Sequence, residues 1–424
     1  SLEFNILMVY NIKYRKEVKL MRVTRVEQQI IKHSHPMWKV IDENCFYSKN
    51  LYNLGNYTIR QEFINNHRWI HYRELDKTLQ KEEAYHQLKS QPSQCTLQVL
   101  DRSWKSYFKA IKDWNKDHSK YLGMPKLPHY KKKNGRFTWF IKNNCCYFDG
   151  EYLRFRVKRL QGYDFKTKAQ GRLICVRFVP RGDNYVMEIV TEIEIPDYQD
   201  VQTNRVTSID LGVNNFVTLT NNIGVAPIII NGRGIKSINQ YYNKQRAEFQ
   251  SELIKRNKQH WSHKLDKLTF KRNNRVKNYI HHASKHVVQY CIDNRIDTLA
   301  CGYNSTWKQE SKLNKKVNQH FIEIPYDMFV KQLEYKCEAV GIKFITTDES
   351  YTSGTSFLDG EIPCKENYDK SRRIHRGMFQ ASGRLINSDV NGSLQIMRKV
   401  FPDAFSYGIE GNLTPTIINV TKVA

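Results

Sequence analysis

Three carboxylates stand where a hydrolytic site could be assembled. Asp210 closes a short apolar run in RVTSIDLGVNNFVTLTNN, Glu349 follows the apolar run GIKFITT in TTDESYTSGTSF, and Asp389 opens INSDVNGSLQIMRKV. Each has an ordinary explanation alone. Asp210 and Asp348 could cap turns, with Asn214 and Asn215 supplying turn residues after the first. Asp389 could be a helix N-cap, a place aspartate fills well. Taken together they suit metal chemistry. Magnesium prefers hard oxygen ligands and takes one or two carboxylates plus substrate phosphates. Two such ions about 4 Å apart can activate water and stabilise the leaving oxygen in phosphodiester hydrolysis. Asp210, Glu349 and Asp389 are therefore the expected catalytic residues and metal ligands, for Mg2+ with Mn2+ as a substitute. His375, a lone histidine in a basic loop, reads as solvated or phosphate-contacting rather than as a general base.

The elements must bring these acids together. Residues 205–210, 215–220 and 226–231 read as strands, and a long basic helical pair spans 235–294. A strand at 296–301, a helix at 325–340, a strand at 342–346 and a helix from Asp389 follow. Three antiparallel strands and then alternating helix and strand give a mixed sheet with helices on its faces. This is the RNase H order, in which a first-strand acid and a last-helix acid converge. A second acid is expected after RIDTLAC, but Gly302, Tyr303 and Asn304 stand there and no carboxylate appears until Glu310. Neighbouring strands lie about 4.8 Å apart, so Glu349 at the end of the adjacent strand could deliver its carboxylate to the same place. Sites in open α/β sheets collect at the carboxyl ends of strands. Glu349 is preferred to Asp348, which suits the turn.

Upstream, residues 21–42 open with a strand in MRVTRVEQQIIKHSH, and residues 43 to about 120 turn helical. In CTLQVLDRSWKSYFKAIKDW, Leu97, Leu100, Trp104, Tyr107, Phe108, Ile111 and Trp114 recur at three- and four-residue steps, an amphipathic stripe. The stripe reads as core, with base stacking by one exposed aromatic as the minority alternative. Pro125, Pro128 and HYKKKNG mark a linker. Residues 137–195 are strand-like, with hairpin turns at Asp149-Gly150 and at Gly182 to Asn184. The simplest architecture is a small β-barrel interrupted by a helical insertion. Residues 1–20 read as an extension free to be disordered, and 406–424 as a C-terminal tail.

The chain has 424 residues and a formal net charge of +26, with 40% hydrophobic residues. That length suggests two to three domains. The charge makes a polyanion the natural partner. No apolar run reaches the roughly 20 residues of a spanning helix, and the first segment lacks a signal-peptide cleavage site. Nine cysteines occur without a CxxC pair, which points to reduced thiols in a cytoplasmic protein and gives zinc no ligand spacing. Between 251 and 290, ten lysines and arginines (Lys255, Arg256, Lys258, Lys264, Lys267, Lys271, Arg272, Arg275, Lys277, Lys285) face Glu252 and Asp266. An RNA–DNA duplex is the expected occupant. Lys131, Lys132 and Lys133 form a second cluster.

With these residues in hand, the chain resembles the TnpB family of transposon-encoded, RNA-guided nucleases, relatives of type V CRISPR effectors. The resemblance runs from Met21 to about Phe405. It is strongest in SIDLGVNNFVTL, KRNNRVKNYIHHASKHVVQYC, GYNSTWKQ, NQHFIEIPYDMFVKQLEYKCEAVGIKF, DESYTS and SDVNGSLQIMRKVFP. It implies an α+β multidomain chain: a wedge-type β-barrel (21–42 and 131–202) with a helical recognition insertion (43–130). An RNase H-like (RuvC) α/β nuclease domain follows at 203–405. Asp210 and Asp389 fall on the family's first and third catalytic acids, and Gly302 on its usual glutamate, which the resemblance places instead at Glu349. Where many relatives carry two CxxC pairs, Ser356 and Asp359 stand at the first pair and Cys364 stands alone, implying a zinc-free hairpin at 353–388. Lys49, Asn53 and Arg60 fall in the region that touches the duplex beside the target, while Tyr52 and Tyr57 could equally be core. The implied activity is RNA-guided cleavage of double-stranded DNA beside a short flanking motif, with guide RNA and target DNA as partners, no membrane, and the chain in the bacterial nucleoid. The number of chains per RNA is left open. The alternative is a nuclease-inactive RNA-guided repressor, which Gly302 motivates and the intact acids oppose. A protein-only resolvase or transposase on this fold lacks a dedicated DNA-binding or dimerisation module.

Overall fold

The computed structural model describes residues 20–196, 204–257, 259–304, 323–375, 377–405 and 413–420. It divides into two compact units, one of residues 21–195 and one built from residues 196–424.

The first unit opens with strand β1 (Leu20–Ile31), followed by helices α1 (Trp38–Asn66), α2 (Tyr72–Leu79), α3 (Glu83–Leu88) and α4 (Ser90–Lys116). Helix thus begins at Trp38, within the stretch read as strand. Strand alternation ends at Ile31, and Trp38 and Ile41 instead pack at helical spacing. The stripe of α4 is core: Leu97, Leu100 and Trp104 are fully buried with Leu51 and Ile59 of α1. The Trp104 indole N–H donates to Asn56 Oδ1 at 3.0 Å.

Strands β2 (Trp139–Lys142), β3 (Cys146–Asp149), β4 (Tyr152–Phe155), β5 (Phe165–Lys166), β6 (Arg172–Arg181) and β7 (Asn184–Pro196) complete the unit. Both expected hairpin turns are present, joining β3 to β4 and β6 to β7. The ladders form a four-stranded sheet in the order β1-β7-β6-β2 and a separate three-stranded sheet β3-β4-β5. The two share one apolar core that includes Trp139, Phe155, Val176 and Phe178.

The second unit is a mixed sheet. Strands β8 (Val206–Leu211), β9 (Asn215–Asn221) and β10 (Ile228–Asn231) run antiparallel. Helices α5 (Arg233–Asn257) and α6 (His263–Asp293) follow, then β11 (Thr298–Gly302), α7 (Tyr326–Val340) and β12 (Lys343–Thr347). β11 pairs in parallel with both β8 and β12. A hairpin, β13 (Met378–Ala381) and β14 (Arg384–Asn387), leads into α8 (Ser388–Val400) and a last strand β15 (Thr416–Ile418). The sheet order is β12-β11-β8-β9-β10-β15. One face buries Ile209, Phe216, Leu219 and Leu299 against Tyr279, Val287 and Phe329.

The assignment of 406–424 as a tail needs correction, since Thr416 to Ile418 pair in parallel with Ile228 to Ile230 as the sixth strand. Three residues are too short a run to show a sheet period in sequence. Residues 1–19 and Glu310 lie outside the described residues. Among the described residues, no helix is long and apolar enough to cross a membrane.

The segment between β12 and α8 is tied by an arginine. The Arg372 guanidinium pairs with Asp359 and, at 2.6 Å, with Glu361 Oε1, and its Nε donates to the Gln380 carbonyl at 3.0 Å. Asp359 also accepts from Ser382 N at 3.1 Å, and Glu361 Oε2 accepts from Ser356 N at 2.6 Å. Ser356 and Asp359, at the positions compared with zinc-binding cysteines, thus belong to a hydrogen-bonded node.

Candidate active site

The site grows from β8, the strand between β11 and β9. Side chains alternate across a sheet, so Ile209 enters the apolar core while Ser208 and Asp210 point to the face that α8 covers. The fit is close. A Cβ at Gly392 of α8 would lie 3.0 Å from Asp210 Oδ2, so glycine lets the helix backbone approach the carboxylate. A buried hydroxyl knot sets the register: Ser208 Oγ lies 2.8 Å from Thr220 Oγ1 and donates to the Ser393 carbonyl at 2.6 Å. Thr220 Oγ1 and Ser393 Oγ are 2.9 Å apart.

Asp389 is in the first turn of α8, one helical turn before Ser393. It is not the cap. Asn387 Oδ1 accepts from the backbone N–H groups of Asp389 and Val390, at 3.0 and 3.2 Å. The Asp389 carboxylate is thereby spared that duty and faces the hairpin turn, where Asn215 Nδ2 donates to its Oδ2 at 2.6 Å. Arg373 stands 3.7 Å from its Oδ1 and donates to Ser388 Oγ at 3.2 Å.

Glu349 arrives from the neighbouring strand. Gly302 pairs with Thr347 at the ends of β11 and β12, and Tyr303 N donates to the Thr347 carbonyl at 2.9 Å. Two residues on, Glu349 turns back. A Cβ built at Gly302 would lie 3.4 Å from Glu349 Oε2. The glutamate carboxylate therefore occupies the space beside the position where sequence comparison expected an acid. Its Oε2 is buried without a hydrogen-bond partner among the described residues. Asp348 instead accepts from Ser350 N at 3.2 Å and from Lys399 Nζ at 3.4 Å, a turn and surface role.

Electrostatics link the three acids. Burial raises the Asp210 carboxyl well above the usual carboxylate range, the charge of Asp389 raises it further, and Arg373 pulls it back. Burial likewise raises Glu349, with Asp210 and then Asp348 adding repulsion and Lys399 opposing it. Asp210 thus feels one acid and is felt by the other. Among the described residues, no three histidine, cysteine, aspartate or glutamate side chains form a finished metal cage. The donor set nevertheless suits a hard divalent cation. Its ligands are carboxylate oxygens, one of them is buried and unpartnered, and a cation would relieve the repulsion that raises both acids.

The expected nucleic-acid residues divide. On α1, Lys49 is buried and its ammonium donates to the Lys133 carbonyl at 2.7 Å. Asn53 donates to the Lys131 carbonyl at 2.9 Å and accepts from Lys131 N at 2.8 Å. Arg60 donates to the Pro128 carbonyl at 2.7 Å. These groups clamp the extended linker to the helix, a structural use that the sequence reading did not assign them. Lys131 lies over Tyr52 at 4.6 Å from the ring centroid, and Lys132 and Lys133 are exposed. On α6, Lys271 and Arg275 are exposed, but Arg272 Nε donates to Asn239 Oδ1 at 2.8 Å and its NH2 to the Glu323 carbonyl at 3.0 Å. His375 is exposed in the loop before β13. Sequence reasoning missed Arg373 and Asn215. The Asn214-Asn215 pair signalled a turn, while nothing in SRRIHRG distinguished Arg373 from its neighbours.

Two family models match the chain, both largely within the second unit. Residues 187–308 match the OrfB_IS605 family, described as probable transposase. Residues 326–396 match the Cas12f1-like TNB domain. No curated protein matches. Among solved structures, a Cas12f1–sgRNA–target DNA complex is similar at 14% identity and TM-score 0.35, covering 88% of this chain and 98% of that one. A CRISPR–Cas12f ternary complex matches at 12% identity and TM-score 0.37, covering 85% and 81%. The mini-RNA-guided endonuclease CRISPR-Cas_phi3 matches at 10% identity and TM-score 0.41, covering 97% of each chain.

Proposed function

Because the chain is a TnpB-like protein across these two matched segments, we propose that it is an RNA-guided endonuclease cutting double-stranded DNA by metal-dependent phosphodiester hydrolysis. The second unit is then the RuvC-type nuclease, and the first a wedge-type fold with a helical recognition insertion. The observation that carries the reading is the carboxylate of Glu349, buried beside Gly302 without a hydrogen-bond partner among the described residues and close enough to Asp210 to feel its charge.

Asp210, Glu349 and Asp389 would hold Mg2+, which when bound supplies a polarised phosphate and a deprotonated water. The rest falls to side chains. Asn215 fixes the Asp389 carboxylate through its 2.6 Å hydrogen bond. Arg373, partly exposed beside Asp389, is placed to meet a phosphate oxygen, which a guanidinium binds in a planar, charge-assisted way. The Ser208–Thr220–Ser393 knot holds α8 against β8 and so fixes the spacing of Asp210 and Asp389. Base pairing to a guide RNA would carry the sequence specificity, leaving the protein to bind backbones.

Gly302 favours a second reading, a binding protein that occupies RNA-specified DNA without cutting. RNA recovered with the protein from cells should be sequenced, and a DNA duplex matching it incubated with the complex and Mg2+. Cleavage supports the nuclease; tight matched binding with no cutting in Mg2+ or Mn2+ supports the repressor; no copurifying RNA refutes both.

A further inference from the structure

Within the first unit, α4 and the outer face of its sheet border an open cleft of about 500 Å3. That size is in the range of small-ligand sites, about 300–1,000 Å3. Val99, Arg102, Ser103 and Ser106 line it from one helical face at i, i+3, i+4 and i+7. Thr138 and Phe140 meet them from β2 and its approach, and Arg177, Val179 and Arg181 from β6. Phe140 pairs with Arg177, and these residues alternate with Trp139 and Phe178 of the core, so the cleft lies on the face turned away from it.

The charge in this cleft is unbalanced. Arg177 is paired with Glu188, which also accepts from Gln28 at 2.7 Å. Arg102 and Arg181 have no ion-pair partner among the described residues; Arg181 reaches only the adjacent Pro180 carbonyl, at 3.5 Å. Both are exposed, whereas Lys49, Asn53 and Arg60 are spent on the linker backbone. Two guanidiniums without an ion-pair partner among the described residues share the lining with a partly exposed phenyl ring and with Ser103, Ser106 and Thr138. Guanidiniums match phosphates, an aromatic face accepts any base, and a cleft of this size admits about one nucleotide.

We propose that this cleft binds one nucleotide of a nucleic-acid strand, its phosphates on Arg102 and Arg181 and its base or sugar against Phe140. The proposal rests on the nucleic-acid-binding reading above and adds a contact site to it. Guide RNA and target DNA share the required chemistry, so the test has an arm for each. Binding of a labelled single-stranded RNA and of a labelled DNA duplex should be measured across a salt series. The proteins are the parent, Arg102→Ala/Arg181→Ala, and a charge-matched control, Lys77→Ala/Lys81→Ala, on an exposed surface elsewhere in the unit.

The cleft variant should lower the log–log salt slope by about 1.4 with RNA or about 1.8 with duplex, at about 0.7 and about 0.9 per phosphate contact, while the control leaves it unchanged. Phe140→Leu, which keeps apolar volume, should weaken binding about 5- to 150-fold without altering the slope. Whichever nucleic acid shows these losses is the occupant. If the parent is steeply salt-dependent and the cleft variant matches the control on both, the cleft assignment falls and the function stands. If the parent binds neither nucleic acid, both fall.

Discussion

Gly302 is the position at which local structure and proposed chemistry meet, and Gly302→Ala perturbs it by one methyl group. That Cβ would stand 2.5 Å from Ile396 Cδ1 and 3.2 Å from its Cγ1. Carbon pairs are best separated by about 3.5–4.0 Å, so Ile396 would have to withdraw by roughly 1 Å. Ile396 is fully buried on α8, which leaves little room for that, and overpacking of this kind costs about 1–3 kcal/mol. Ile396→Val removes the clashing Cδ1 and alone should cost about 0.5–1.5 kcal/mol. If the clash is the cause, the double variant will be more stable than the sum of the singles by about 1–2 kcal/mol. Denaturant unfolding of all four proteins without metal measures this. Gly302→Ala at parent stability, or strict additivity in the double variant, would refute the packing account and the claim that glycine is there because the space is filled.

Three further outcomes follow from named contacts. The raised carboxyl of Glu349 means that the folded state holds its proton more tightly than the unfolded chain, so stability in chelator should fall as pH rises from about 4.3 to about 9. Glu349→Gln should lessen that decline, leaving the share that belongs to Asp210, and remove most of the Mg2+-induced rise in melting temperature; an identical pH profile and Mg2+ shift would count against it. Lys49→Met should destabilise the first unit by about 1–3 kcal/mol, since the Lys133 carbonyl loses its donor, and leave the salt slope of nucleic-acid binding unchanged. Arg372→Met should expose the segment from 353 to 387 to proteolysis at a cost of about 1–3 kcal/mol, discounted for its partial exposure, whereas chelator should leave the parent segment protected.

Much of the second unit was legible because its elements are long and regularly patterned. The strands at 205–210 and 215–220 read as short apolar runs, the helical pair and the helix from Asp389 as helical segments, and the structure shifts their ends by at most two residues. The pairing of β11 with β12, on which the choice of Glu349 depended, was inferable from strand order alone. What sequence could not show was contact. An N-cap role stayed open for Asp389 beside the expected catalytic one because the residue type fits, yet Asn387 two residues earlier performs the capping. Lys49, Asn53 and Arg60 looked like a polar face free for nucleic acid, but they recur at helical spacing opposite a proline-bearing linker whose carbonyls they satisfy. Arg373 reaches the acids through the fold of the segment before α8, and β15 joins the sheet through only three residues.

The central claim is that Glu349 completes the acid site that Gly302 leaves open. The direct measurement is Mg2+-dependent cleavage of an RNA-matched DNA duplex by the parent and by Glu349→Gln, with binding measured alongside. Asp210→Asn and Asp389→Asn serve as comparisons, and Glu334→Gln, on the exposed face of α7, as control. The account predicts cleavage by the parent and the control. The three acid variants should lose it to a similar extent, because members of one site act as a unit, and should keep RNA and target binding. Full cleavage by Glu349→Gln would contradict it.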